Sequence, residues 1–301
     1  MQDELKKERE FGNIELLARQ LVEGFITGMH KSPYHGFSVE FAEHKLYNTG
    51  ESTRHIDWKV FAKTDKLFSK RFEEETNLRC HLVIDNSSSM YYPVDNKGKI
   101  TFSILAAAAL AYLMQKQRDA VGLFTFSDQI ELQTQVKSTP SHIHKLLVYL
   151  EKMLHTSTDT RETNIAKVLH EVAEKIHKRS LVVIFSDMFQ SNNNLDEIFE
   201  ALQHLKHNKH EILLFHVTDH ATERDFKFED RPYEFHDLES GEKLKLQPSE
   251  IRSYYQNQMS TLFEKLKLKC GQYKIDFIAA DISQPFDQVL NSFLIKRAKM
   301  A

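Results

Sequence analysis

From Arg79 onward the chain repeats one pattern: a short, unbroken apolar run, then a segment with apolar residues at helical spacing. The runs are LVI (82–84), VGLFTF (121–126), LVVIF (181–185), ILLFHV (212–217) and IDFIAA (275–280). Each is too short for a core helix and lacks the polar alternation of a half-exposed strand. A strand that is apolar at nearly every position needs cover on both faces, which a mostly parallel sheet between two helix layers supplies. The helical segments fit that need. They run over about 100–117, then through Ile143, Leu146, Leu147 and Leu150, through Ile165, Val168, Leu169, Val172 and Ile176, and through Leu195, Ile198, Phe199 and Leu202, with later ones near 249–269 and 286–298. IELQTQV (130–136) adds a further strand. The expected fold class is α/β, a doubly wound, mostly parallel sheet over residues 79–301.

Ahead of it, residues 1–78 form an expected N-terminal region. Ile14, Leu17, Ala18, Leu21 and Phe25 make an amphipathic helix with Asn13 as N-cap, and SVEFAEHKLY, HIDWKVFA and KLFSKRF have the texture of a small sheet. Trp58, the one tryptophan, is expected buried there beside an Arg54/Asp57 pair. Between about 222 and 248 the α/β alternation breaks, and FHDLE and EKLKL around Ser240-Gly241 predict an inserted hairpin. That hairpin either faces a partner or covers apolar surface.

Charge and thiols narrow the function classes. Forty basic against 43 acidic residues give a net charge of −3, so nothing in the balance favours nucleic acid or an anionic membrane. The longest apolar stretch, Thr101–Met114, falls short of the roughly 20 residues of a membrane span and is expected as a buried helix. Two distant cysteines, Cys80 and Cys270, and an N-terminus MQDELKKERE without an apolar signal core point to a reducing, cytoplasmic setting.

In open parallel sheets, ligands gather outside the carboxyl ends of the strands. There the chain places Asp85-Asn86-Ser87-Ser88-Ser89 after one strand and Ser186-Asp187 after another, with Arg161-Glu162-Thr163-Asn164 introducing a helix. Asp85, Ser87, Ser89, Thr163 and Asp187 together form an oxygen-only set suited to a hard cation, Mg²⁺ above all, with Mn²⁺ or Ca²⁺ also accommodated. The Asp-x-Ser-x-Ser alternation puts its three side chains on one side of an extended segment. An ion held largely by neutral hydroxyls, with the two carboxylates acting through water, keeps the appetite to take a carboxylate from another molecule. The competing reading gives Ser87 and Ser89 the ordinary work of serine after a strand, capping the next helix or satisfying turn amides. His204, His207 and His210, three apart, are expected as a solvated helix end rather than a metal site.

The DNSSS segment with Thr163 and Asp187, and DAVGLFTFSD (119–128), resemble the von Willebrand factor A domain and its metal-ion-dependent adhesion site. STRHIDWKVFAKTDKLFSKRFEEE (52–75) ahead of the first strand narrows the resemblance to a bacterial family known as domain of unknown function fifty-eight, over about residue 35 to the C-terminus. The resemblance extends through SDMF (186–189), FHVTD (215–219) and the DLESGEKL hairpin. It implies association with a MoxR-type AAA+ ATPase, as an adaptor or co-chaperone, with a client supplying the acidic residue. The chain departs from the pattern at Arg161-Glu162, where many such domains have glycine, which makes Glu162 a competitor for the ion's open position.

The rival class is a Mg²⁺-dependent hydrolase or phosphatase with Ser87 or Asp85 as nucleophile. Against it, the chain has no GxSxG, no HExxH and no GxxxxGK[ST] loop, so ATP-driven action has to come from a separate protein. The expected function is a metal-dependent protein-binding module, not an enzyme.

Overall fold

The computed structural model of the protein describes residues 14–28, 41–47, 56–72, 78–94, 98–155, 163–189, 195–238 and 241–284. The chain divides into two compact units, Pro33–Asn77 and a larger one made of Met1–Ser32 with Leu78–Ala301. Helix α1 (Ile14–Gly28) therefore belongs with the α/β unit, and the expected N-terminal region 1–78 is not one body. Asn13, the expected cap, and the expected last helix near 286–298 lie outside the described residues.

In the small unit, β1 (Phe41–Leu46) pairs antiparallel with β2 (Phe68–Phe72), and α2 (Trp58–Thr64) stands between them in the chain. HIDWKVFA, expected as a strand, is thus mostly helical. The reason is Asp57, whose carboxylate accepts the N–H groups of Lys59 and Val60 at 3.0 and 3.3 Å and so nucleates the first turn. Trp58 at the head of that helix is 61% exposed rather than buried.

The larger unit carries β3 (Arg79–Asp85), α3 (Gly98–Lys116), β4 (Ala120–Phe126), β5 (Ile130–Gln133), α4 (Pro140–His155), α5 (Ile165–Lys175), β6 (Leu181–Ser186), α6 (Leu195–His207), β7 (Glu211–Thr218), the hairpin β8 (Tyr233–His236) and β9 (Lys243–Leu246), α7 (Pro248–Gln272) and β10 (Asp276–Asp281). Six strands form one sheet in the order β10-β7-β6-β3-β4-β5, parallel throughout except for β5 at one edge. Side chains alternate between two cores. Cys80, Leu82 and Ile84 of β3, Leu181, Val183 and Phe185 of β6, and Leu213, Phe215 and Val217 of β7 face α1, α3 and α4. Val83, Val182, Ile184, Ile212 and Leu214 face α5, α6 and α7. Both faces are covered, as the unbroken apolar runs require.

Helix α3 is the centre of the first core, with every residue from Gly98 to Met114 buried. By length and composition it would span a membrane, but 89% of its apolar window lies inside the unit. Residues 134–136, expected to extend β5, are not strand, although Lys137 still exchanges backbone hydrogen bonds with Val121. The expected hairpin is present, with Tyr233 paired to Leu246 and His236 to Lys243. Gly241 at its turn has φ +75°, a conformation that favours glycine.

One core residue is a histidine. His81 on β3 is 3% exposed, lies 5.7 Å from the Phe124 ring, and has no hydrogen-bond partner at either ring nitrogen among the described residues. Burial, helped by His210, His177 and Arg79, pushes it down to about 4. Between the ordinary value of about 6.5 and that value, the unfolded chain takes up a proton that the folded chain refuses, so stability falls as pH drops through this window. His81→Phe should therefore stabilise the protein by about 1–2 kcal/mol more at pH 5 than at pH 8, measured by urea unfolding at both. An equal gain at the two values would show that His81 does not carry the linkage.

Candidate metal centre

The chain reverses its winding direction at β3. From β3 it crosses to β4 on one side and later returns to β6 on the other, so the crevice between β3 and β6 opens at their carboxyl ends. Asp85 closes β3 and Ser186 closes β6. Ser186 Oγ donates to Asp85 Oδ2 at 2.7 Å, pinning the two strand ends together. The other oxygen of Asp85 accepts the Ser87 N–H at 3.0 Å.

Ser87 is wholly buried, and its hydroxyl lies 3.1 Å from that of Ser89. The chain does not continue extended through this segment; it turns into a 3₁₀ helix over Ser88–Tyr91, so the expected extended alternation holds only as far as Ser87. Ser87 stands at the N-cap position of that turn, yet its side chain makes no capping bond. The simple reading of Ser87 as a helix cap is thereby removed. Asn86 fixes the loop from behind, taking the Tyr91 hydroxyl at 2.8 Å and donating to Glu131 at 2.7 Å.

Thr163 reaches the same edge by another route. The N–H of Asn164 donates to the carbonyl of Ser127, the residue after β4, at 3.2 Å, and Asn164 then caps α5 through Lys167 N–H. Thr163 is 4% exposed and its Oγ1 is buried with no hydrogen-bond partner among the described residues. A buried hydroxyl without a partner costs about 1–3 kcal/mol, which marks a place where a ligand would be welcome. Arg161 and Glu162, where the chain departs from the expected glycine, lie outside the described residues.

Asp187, fully buried, is held differently from Asp85. Its Oδ1 accepts the Phe189 N–H at 3.1 Å and its Oδ2 accepts Lys99 Nζ at 2.7 Å. The same ammonium donates to Glu223. Neither Lys99 nor Glu223 was expected at the site. Lys99 did carry a signal: it is a charged residue two positions before the Thr101–Met114 apolar stretch, inside the first turn of what becomes a buried helix. Glu223 sits in one turn of π-helix, His220–Arg224, which locks itself because Asp219 caps Ala221 N–H at 3.2 Å while Glu223 accepts Asp219 N–H at 2.8 Å. No local pattern connects it to the strand ends.

The electrostatics follow from burial. It pushes the Asp85 carboxyl up to about 7, with repulsion from Asp187 second and the hydrogen bonds of Ser87 and Ser186 opposing. Burial alone would discharge the Lys99 ammonium, but Asp187 and Glu223 outweigh it and hold the charge more firmly than usual. His216 is pushed down to about 4 by burial; its Nε2 lies 3.0 Å from the Asp187 carbonyl oxygen. Among the described residues no three His, Cys, Asp or Glu side chains converge into a metal cage. Any ion here has to rely on the hydroxyls of Ser87, Ser89 and Thr163 with the two carboxylates, a donor set that fits a small hard cation. His204 and His210 are not a solvated cluster. His204 pairs with His170 across α5 and α6 at 3.0 Å, and the buried His210 accepts the Ser180 N–H at 3.2 Å.

An uncharacterized protein of Mycobacterium tuberculosis is 24% identical over 206 residues, 68% of this chain and 63% of its own length, and one from Mycobacterium bovis matches equally. The chain thus spans less than two thirds of the curated relatives it matches. Among solved structures, an aerotolerance-related membrane protein of Bacteroides fragilis aligns at 13% identity and a TM-score of 0.46, over 73% of this chain and 99% of that one. Proximal thread matrix protein 1 from the mussel byssus, described with a zinc-occupied MIDAS motif, aligns at 16% identity and a TM-score of 0.35, over 48% and 38%. Residues 43–262 match the family model described as "Protein of unknown function DUF58", and the chain belongs to that family.

Proposed function

We propose that this protein is a metal-dependent protein-binding module. In this reading Asp85, Ser87, Ser89, Thr163 and Asp187 hold a Mg²⁺ or Mn²⁺ ion, and the ion grips an acidic residue of a partner. The observation that carries it is the buried hydroxyl of Thr163, without a partner among the described residues, at the same sheet edge as two buried carboxylates, one of which, Asp85, is reluctant to ionise without a cation. When bound, the ion supplies Lewis acidity toward an external carboxylate; the chain's residues orient it and keep water off its inner side. The partner we infer is a MoxR-type AAA+ ATPase or its client, with the cytoplasm as compartment, which two buried cysteines with no disulfide between them suit.

Metal binding is tested first by calorimetry and thermal unfolding. A ligand that binds only the folded state at one hundred times its dissociation constant adds about 2.7 kcal/mol, so millimolar Mg²⁺ or Mn²⁺ should raise the Tm of the wild type and leave Asp85→Ala unmoved. No shift and no binding heat in the wild type would end the metal reading.

With Mg²⁺ present, the purified protein should not hydrolyse phosphate esters, peptides or nucleotides. Turnover above background that vanishes in Ser87→Ala would favour the hydrolase instead.

Binding to a cognate MoxR-type ATPase, measured with Mg²⁺ and with EDTA, should weaken at least tenfold in EDTA, because a charged contact to a partly desolvated cation dominates its interface. Ser87→Ala and Thr163→Ala should weaken it as much, with no further effect of EDTA. Asp187→Asn is the third variant; its single amide oxygen accepts from Lys99 or from the Phe189 N–H but not from both, so its folding is checked alongside by circular dichroism. Equal affinity in both conditions would remove the metal edge as the docking surface.

A further inference from the structure

We propose that Lys99 determines the metal affinity of this edge, acting as a built-in monovalent cation that competes with a divalent ion for Asp187. The proposal rests on the metal reading above and concerns how the chain tunes that site.

The placement of Lys99 is unusual on physical grounds. Its side chain is 1% exposed, and it lies in the first turn of α3, where the helix dipole disfavours a positive charge. It remains there because the ammonium is sandwiched between two carboxylates, Asp187 at 2.7 Å and Glu223, with the Tyr92 and Phe189 rings 5.9 and 5.7 Å away. Asp187 consequently meets any incoming ion with both oxygens already engaged, one by Lys99 and one by the Phe189 N–H. Asp85 is not so encumbered: its hydrogen bonds come from the neutral Ser186 hydroxyl and the Ser87 amide. Of the two carboxylates, Asp187 therefore meets a divalent ion with its charge already discounted by its own counter-cation.

A fixed positive charge beside a ligand repels a divalent ion at short range, and the repulsion is large wherever water is excluded. Lys99 thus keeps the ion weakly held by its own protein and short of negative charge, the state in which an external carboxylate gains most. Glu223 works in the opposite sense, since it draws the ammonium partly away from Asp187.

The two residues have opposite effects, and that makes the idea testable. Lys99→Met/Glu223→Gln removes one charge of each sign, preserves side-chain volume and frees Asp187 Oδ2. Calorimetric titration of the full chain with MgCl₂ and with MnCl₂ should show the dissociation constant falling about tenfold or more in this variant. Adding Ser87→Ala should abolish the gain, placing it at the same site. Glu223→Gln alone retains one acceptor, for Lys99 at the expense of the Asp219 N–H, and its folding is confirmed by circular dichroism before titration. With the ammonium left to Asp187 alone, it should weaken binding several-fold, which tests the proposal even if the double variant does not fold.

Unchanged or weaker binding by a folded double variant, or unchanged binding by Glu223→Gln, while the wild type binds the ion, would overturn the role of Lys99 and leave the metal reading standing. Absence of binding heat in every protein, double variant included, would overturn both.

Discussion

One buried ammonium group fastens three separate pieces of the chain at the carboxyl edge of the sheet. Lys99 belongs to the first turn of α3, Asp187 follows β6, and Glu223 belongs to the turn after β7, yet all three meet at Lys99 Nζ. Taking these charges out of water is expensive, and the cost is offset only when every charge finds a partner. Here it does, and Ser186 adds a neutral tie from β6 to Asp85 of β3. Removing one partner from such a cluster costs about 3–5 kcal/mol because the others are left uncompensated in the interior. The edge is consequently a rigid frame on which exposed or half-buried oxygens such as Ser89 are displayed.

The sheet order explains why this frame forms at β3 and β6. Reversal of winding there separates the two helix layers, because α3 leaves β3 toward one face and α5 approaches β6 from the other. Asp85, Ser87 and Asp187 sit there fully buried, with the Tyr92 and Phe189 rings beside the Lys99 ammonium. The serine-rich loop, the Thr163 loop and the Asp187 loop each emerge from a strand or helix anchored in a dry core, so their hydroxyls are positioned by packing they do not themselves provide.

Much of this architecture was legible in the sequence, for a physical reason. The central strands are apolar at successive positions, as double-sided burial demands, and α3 shows its burial in an almost unbroken apolar stretch. The misses have local or long-range causes. HIDWKVFA has strand-like composition, but the Asp57 carboxylate satisfies two amides at once and tips the segment into a helix, leaving Trp58 outside. The site was half legible: Asp85, Ser87, Ser89, Thr163 and Asp187 all stand at the ends of recognisable elements and all come to one edge, whereas their role as ligands is inferred. Lys99 showed itself only as a charge at the head of an apolar helix, and its pairing with Glu223 was not legible because that bond spans 124 residues and no local rule sets so distant a pairing.

The same bond changes the meaning of the inserted hairpin. Phe226 stacks on Phe235 of β8 and lies tilted against Tyr255 of α7, with centroids 5.7 and 4.5 Å apart, so the hairpin is anchored on an aromatic cluster just beyond Glu223. Its outer residues, such as Glu234 with Lys245 at 3.2 Å, are solvated and far along the chain from the charged edge. Its root is not: the turn that carries Glu223 is locked by Asp219 and bonded to Lys99, and it leads directly into Phe226. A substitution on the outer strand face alters only what the hairpin presents to solvent. A substitution at the root disturbs the counter-charge of Asp187, so the hairpin's two ends belong to different parts of the protein's chemistry.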